Sequence, residues 1–458
     1  MLGYPMSEYW LFSLIIGLFL AMVALFARVQ QGSWFTPGAF FALIWSMFVL
    51  LPLLGAPDII VCPGALLWIL LSVYMVYMGT ILGSGRMLFR LVHEREARVD
   101  TNPYSLNLPW LSHITLICSI LGFNTTIVLV LSTGRGLSAL MSIDALMEMG
   151  RQFSLARYGI PGYREPELAI FLTIFIYTGA LFGGTLFATS FSSCHRLIAL
   201  LPLVPAITVA SILTTRATLL FTCMHWVAAY SSTRVAIAKG AVPLFTPRRV
   251  ILALVIALFV LVMFMMLQIS REGRSNISTD VLLSIGYNIR ISTFGYLGAF
   301  SQWFREHWGD NLTLSFGGFL FLKPCKWLGI DVNVHPHTPV EIGFITTNIF
   351  GIFRGLIEDF GLVGSLLFLL TGGIVVARVF RKVIQGRIMF LPVLAGFYSF
   401  TLCSFVGNMF RFGTIIVAWV IFILYFATIN IRSKVLYSRG KRSNTVRNYQ
   451  IQTAHTRS

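Results

Sequence analysis

Charge is what this sequence lacks most. Only 11% of its 458 residues are Asp, Glu, Lys or Arg, where a soluble domain carries about a quarter. A chain so poor in charge and 57% hydrophobic is not expected to form a soluble globule. Acidic residues are scarcer still, 17 against 34 basic ones. None lies in the core of an expected membrane span, whereas ion-coupled transporters place carboxylates at bilayer depth; that argues against one. Cysteine is sparse as well. Cys62, Cys118, Cys194, Cys223, Cys325 and Cys403 are scattered with no Cys-x-x-Cys pair, so neither a metal knuckle nor a disulfide framework is indicated. No Gly-rich loop precedes a helix, so no nucleotide site is expected. The first apolar run lacks a basic n-region and is long enough to span, so it is read as a span and not as a cleaved signal peptide.

Long apolar runs are abundant. About 20 residues suffice to cross a hydrocarbon core, and such runs fall at 9–27, 36–55, 63–84, 111–132, 168–190, 197–214, 217–232, 249–269, 359–377, 388–405 and 413–431. The expectation is therefore an all-α polytopic integral membrane protein of about 11 transmembrane helices, within a range of about 10 to 12. Arg216 separates the sixth and seventh runs, which read equally as a broken helical pair or a re-entrant hairpin.

The net charge of +17 does not point to nucleic acid, because the basic residues cluster between apolar runs. Arg86, Arg90, Arg95 and Arg98 form one cluster; Arg234, Lys239, Arg248 and Arg249 a second; Arg378, Arg381, Lys382 and Arg387 a third. Arg432, Lys434, Arg439, Lys441, Arg442, Arg447 and Arg457 form a fourth in the tail. With eleven spans all four fall on one side, which the positive-inside rule makes the cytoplasm. The N-terminus is then periplasmic and the C-terminus cytoplasmic. Residues 1–432 read as a membrane domain and 433–458 as a basic cytoplasmic tail. Two long outer segments follow, at about 133–167 and about 270–358, the second far longer than a connection requires. Within it, Phe294, Leu297, Phe300, Trp303 and Phe304 recur near helical spacing. That stripe suits a helix lying in the headgroup region or one packed on the roof of the bundle.

The outer segments hold the residues able to do chemistry. Arg135 stands between two glycines in Ser-Thr-Gly-Arg-Gly, followed by Arg151, Arg157 and Arg164; Arg271, Arg274, Arg290, Arg305, Lys323, Lys326 and Arg354 lie in the larger segment, and Arg411 in the last outer turn. Guanidinium forks match phosphate oxygens and keep their charge, so such a cluster at an outer membrane surface suits a lipid pyrophosphate. Each arginine also has a plainer reading, contact with lipid phosphate or a carboxylate. Arg354 and Glu358 are four residues apart, the spacing of a helical ion pair, and Glu358 and Asp359 suit a helix N-terminus. Alternatively, these carboxylates orient the arginine or act as a base. His335 and His337 form His-Pro-His. In an extended chain both rings point the same way, so a metal is conceivable, but two ligands are a weak signal for one. A solvated loop is the plainer reading, and a single histidine can also serve as a base.

These features resemble the bacterial oligosaccharide repeat-unit polymerases, the O-antigen polymerase (Wzy-type) family. The resemblance rests on Trp34-Phe35-Thr36-Pro37 with Leu43-Ile44-Trp45; on Gly295-Tyr296-Leu297-Gly298-Ala299-Phe300-Ser301 and Leu314-Ser315-Phe316-Gly317-Gly318-Phe319; and, most specifically, on Thr347-Asn348-Ile349-Phe350-Gly351-Ile352-Phe353-Arg354 closed by Glu358-Asp359-Phe360-Gly361 and Gly364. Gly351 departs from the family, whose members often carry a hydroxyl residue there.

The resemblance implies a GT-C-like glycosyltransferase of lipopolysaccharide, capsule or exopolysaccharide biosynthesis. It would join undecaprenyl-pyrophosphate-linked oligosaccharides at the periplasmic face of the bacterial inner membrane. It would need no cofactor and no metal, and its partners would be membrane lipid, a chain-length regulator and a flippase. In that reading Arg354, Arg135, Arg290 and Arg411 bind pyrophosphate, and Asp359, Glu358 or His337 is the base. An O-antigen ligase of similar architecture is the nearest alternative, and a lipid-linked sugar transporter or flippase the rival from another class.

Overall fold

The computed structural model describes residues 9–85, 108–160, 163–243, 251, 258, 261–269, 279–308, 314–332, 334, 340–342 and 345–429. The basic cluster at 86–98, Arg248, Arg249, Arg271, Arg274, His335, His337, most of the first half of the expected span 249–269 and the tail 433–458 lie outside them.

The described residues are about 81% helical, and the protein is an all-α, membrane-embedded chain. Among the described residues, seven helical stretches are long and apolar enough to cross a bilayer. They are α1 (Trp10–Gln31), α2 (Pro37–Gly55), α3 (Pro63–Ser84), α4 (Leu108–Ser132), α6 (Glu167–Thr189), the broken stretch Ser193–Leu213, made of α7 (Ser193–Leu200) and α8 (Leu203–Leu213), and α12 (Gly351–Ile384). The outward face of α1 shows why lipid is needed. Leu11, Ile15, Leu18, Met22, Phe26 and Val29 are 49% exposed or more, a continuous apolar stripe that water would not tolerate.

Seven is fewer than the eleven spans expected, for identifiable reasons. The expected seventh span is α9 (Arg216–Ile237), a helix that carries Arg216, His225 and Arg234 and is too polar to qualify by composition. The last two expected spans are shorter apolar helices, α13 (Leu391–Cys403, within the stretch Ile388–Cys403) and α14 (Gly413–Ile429). Thr214, at φ 51°, turns the chain between α8 and α9, so the sixth and seventh runs form a tight helical hairpin with its first arm broken at Leu201-Pro202.

Small residues let these helices approach closely. A Cβ at Gly79 would stand 2.2 Å from the Leu370 carbonyl oxygen, and one at Gly373 would stand 2.6 Å from that of Val76. The α3–α12 contact is thus backbone against backbone, the packing that membrane helices favour because lipid supplies no hydrophobic drive between them. At one end of this pair Arg381 donates to the Ser84 carbonyl at 2.9 Å. The C-terminal end of α3 and the C-terminal end of α12, which carries Arg381, therefore lie on one face of the bundle.

The opposite face carries an elaborate cap. It contains α5 (Ile143–Gly159) between α4 and α6, α10 (Thr279–His307), α11 (Leu322–Trp327) and an antiparallel hairpin of β1 (Val340–Ile342) and β2 (Ile345–Thr347), with Val340 opposite Thr347. The aromatic stripe of α10 is turned into the protein. Tyr296, Leu297, Phe300, Trp303 and Phe304 are buried, with Phe300 against Phe353 at 5.8 Å between ring centroids and Phe304 against Trp68 at 6.2 Å. The Ser301 hydroxyl accepts the Cys62 N–H at 2.7 Å. Of the two readings of this stripe, roof packing describes the structure. The headgroup reading fails because α2, α3 and α12 offer the stripe an aromatic wall.

Candidate functional site

The motif Thr347–Arg354 forms the entry to α12. Gly351 starts the helix at φ 67°, and a Cβ there would sit 3.2 Å from the Ser404 carbonyl oxygen. Positive φ is costly for residues with a Cβ, so glycine suits this position. Ten residues on, Gly361 adopts φ 71°, ψ −179°, a conformation open essentially to glycine alone, and breaks α12 in two. Glu358 and Asp359 therefore do not stand at a helix N-terminus. They sit at the end of the first half, where the macrodipole disfavours negative charge, so other contacts must hold them.

Arg354 is 6% exposed. Its Nε donates to Glu358 Oε1 at 2.7 Å, the i,i+4 pair that the spacing suggested. Its guanidinium carbon lies 4.1 Å from the Phe350 ring centroid and 5.7 Å from those of Trp303 and Phe319. Such cation–π contacts contribute up to about 2 kcal/mol when desolvated. The Nη1 of this buried group has no hydrogen-bond partner, a donor left open in a place where open donors are rare.

Asp359 is fully buried and serves a different purpose. Its Oδ1 accepts the Phe319 N–H at 2.7 Å and the Ser315 hydroxyl, and its Oδ2 accepts the Leu320 N–H at 2.8 Å. The Phe316 N–H bonds the Asp359 carbonyl at 3.0 Å and the Ser315 N–H that of Glu358 at 3.1 Å. The loop 315–320 is wrapped around one carboxylate, a backbone nest of the kind that binds anions. That loop delivers Phe319 to Arg354 and Leu320 to the next cleft.

A cleft of about 10 Å³, room for about one water, is lined by Leu320, Phe350, Gly351, Gly355, Asn408 and Arg411 among others. Asn408 donates to the Leu320 carbonyl through its Nδ2 and accepts the Phe410 N–H at 3.1 Å. Arg411 Nε is buried without a partner, and desolvation pulls its pKa down to about 10, so the side chain stays cationic at neutral pH. Lys323, exposed on α11, brings its Cγ to 3.8 Å from where a Cβ at Gly413 would stand, close to this turn. An apolar groove of about 370 Å³, lined by Phe368, Val376, Val393, Phe397 and Phe400, shares Leu320 and Asn408 with the cleft.

The structure thus gathers Arg354, Glu358, Asp359 and Arg411 at one cap. It does not bring Arg290 or Arg135 to them. Arg290 forms an ion pair with Asp58 in the α2–α3 turn and lines no part of the cleft. Arg135 stands half-buried in the turn after α4, at the cap but apart from the cleft lining. His337 lies outside the described residues. Sequence reasoning missed the loop 315–320 as the partner of Asp359 and Asn408 as the partner of Leu320 in that loop, because these pairings span about 40 and 88 residues and leave no local pattern. Among the described residues no group of three or more His, Cys, Asp or Glu could hold a metal ion.

Comparison with known proteins finds no matching family model, no matching curated protein and no matching solved structure.

Proposed function

We propose that this chain is a GT-C-like glycosyltransferase that joins undecaprenyl-pyrophosphate-linked oligosaccharide repeat units into a surface polysaccharide. In this reading it crosses the bacterial inner membrane about eleven times, with its N-terminus and the α10–α11 cap in the periplasm and its C-terminus in the cytoplasm. The observation that carries the reading is Arg354, a buried guanidinium in an aromatic cage with Nη1 lacking a hydrogen-bond partner, beside a cleft that is lined by Arg411 and shares Leu320 and Asn408 with an apolar groove. Cationic donors near an apolar groove are what an anionic headgroup on a polyprenyl tail requires.

The transfer is a substitution at a sugar carbon. The acceptor hydroxyl oxygen forms a bond to the anomeric carbon of the donor, and the bond from that carbon to the pyrophosphate oxygen breaks. Negative charge builds on the departing undecaprenyl pyrophosphate, where Arg354 and Arg411 stabilise it; a well-aimed donor contributes about 3 kcal/mol to such a step. The hydroxyl proton passes to a base. Asp359 is unsuited to that role because its oxygens are already bonded to Ser315, Phe319 and Leu320. Glu358, 21% exposed, is the better carboxylate, and His337 is the second candidate. Membrane lipid, a chain-length regulator and a flippase are the partners such an enzyme needs.

The test is incubation of the purified protein with lipid-pyrophosphate-linked repeat units. A ladder of products supports the reading. Transfer onto a lipid-A core without a ladder would make the protein a ligase, and transport without transfer would make it a flippase; either result overturns it.

A further inference from the structure

A second cavity, of about 220 Å³, opens at the same cap between α4, α6, α8, α9 and the start of α14. Its lining differs from that of the apolar groove. Thr125, Tyr177, Thr218 and Glu165 line it, together with Phe221 and Phe412. Thr125 is 1% exposed and its Oγ1 has no hydrogen-bond partner. Threonines in membrane helices ordinarily bond the carbonyl one turn back, as Thr173 does to Ala169 at 2.8 Å. Thr125 does not. Glu165 is held in place by Arg157, whose Nη2 reaches Glu165 Oε1 at 2.6 Å while Nη1 bonds the Leu213 carbonyl at 3.1 Å. An immobilised carboxylate, an unpaired buried hydroxyl and two aromatic rings thus belong to the residues that line one space.

That combination matches one ligand chemistry. Hydroxyls and a carboxylate both accept from sugar O–H groups, and hydroxyls also donate to them, while aromatic faces pack on the apolar side of a pyranose ring. The volume, below the usual range of about 300–1,000 Å³ for ligand pockets, limits the occupant to about one ring. Phe412 adjoins Arg411, which lines the first cleft, so the two spaces lie on either side of one short turn.

We infer that this cavity binds a single sugar ring of the acceptor glycan, a reading that rests on the proposed glycosyl transfer. Arg354 and Arg411 beside the first cleft then serve the donor pyrophosphate, and the second cavity the acceptor sugar. The test uses the full chain in lipid nanodiscs and a panel of methyl glycosides of glucose, galactose, mannose and N-acetylglucosamine, with binding read by saturation-transfer NMR. At least one glycoside is expected to bind. Thr125→Val, which keeps shape and removes the hydroxyl, and Glu165→Gln should each weaken it about tenfold, whereas Thr125→Ser should restore it and Arg354→Lys should leave it unchanged. No binding by any glycoside, or equal binding by Thr125→Val and Glu165→Gln, overturns the inference. Glycoside binding without polymerisation of lipid-linked units would sink the proposed reaction and leave a sugar site standing. Polymerisation with an unaltered acceptor KM in Thr125→Val would remove the site and leave the reaction.

Discussion

The Asp359 carboxylate accepts the backbone N–H of Leu320, 39 residues away, at 2.8 Å. This one bond, with its companions to Phe319 and Ser315, ties the cap to the membrane helix that carries Arg354. Asp359→Asn keeps the shape but turns a donor toward N–H groups that need an acceptor. The expected cost is about 2–3 kcal/mol, the range for bonds to a charged group. Hydrogen exchange checks it: amides at 315–320 should lose protection while those of α3 keep theirs.

Arg354→Lys should lower polymer formation by on the order of 100-fold, as loss of one aligned donor does elsewhere. A lysine offers a point charge in place of a fork and cannot keep the Glu358 bond while reaching a pyrophosphate. Steady-state rates on lipid-linked repeat units decide this; an unchanged kcat would remove Arg354 from the leaving-group role.

Arg411 is held cationic against desolvation, its pKa pulled down toward about 10. The sign follows from that shift. The folded state binds this proton less tightly than the unfolded state, so below pH 10 the buried charge costs stability, and an anion should recover part of that loss. Inorganic pyrophosphate at a concentration of about 100 times its Kd should stabilise the wild type by about 2.7 kcal/mol. Arg411→Gln should respond far less. Thermal unfolding in detergent with and without pyrophosphate measures the difference.

Gly361 breaks α12 at φ 71°, ψ −179°. Gly361→Ala should cost about 1–3 kcal/mol and push the chain toward a continuous helix, shifting Glu358 and Asp359 relative to the cap. A lower Tm together with lost activity is the expected pair of results; a wild-type Tm would mean the break is not required.

The sidedness in the proposed reading is open to direct measurement. In a background without native cysteines, Lys326→Cys on α11 should react with an impermeant maleimide in intact cells. Arg387→Cys, at the opposite end of α12, should react only after the membrane is opened. The reverse pattern would invert the topology and place the cap in the cytoplasm.

Much of the architecture was legible from residue order. Apolar runs of span length mark α1 to α4 and α6 with ends close to those observed, since a bilayer selects helices by length and hydropathy alone. The run 359–377 marks α12 but falls well inside the observed Gly351–Ile384 at both ends. The Arg354–Glu358 pair was legible for the same local reason, a spacing of four on a helix. Span counting was less secure where polar residues enter a helix, as in α9, or where an apolar helix is short, as in α13.

Other features were settled only by folding. Composition along one chain segment cannot distinguish an aromatic stripe that faces lipid from one that faces protein; the wall of Phe48, Trp68 and Phe353 decides that for α10. Nor can it distinguish two adjacent carboxylates. Glu358 reaches the surface beside Arg354, while Asp359 is consumed by a loop some 40 residues earlier in the chain. Arg290 and Arg411 read alike in sequence, yet one meets Asp58 and the other a cleft. Hydropathy and helical spacing act over one or two turns and are written in residue order. Pairing and burial depend on which distant segments arrive, and that is determined only in three dimensions.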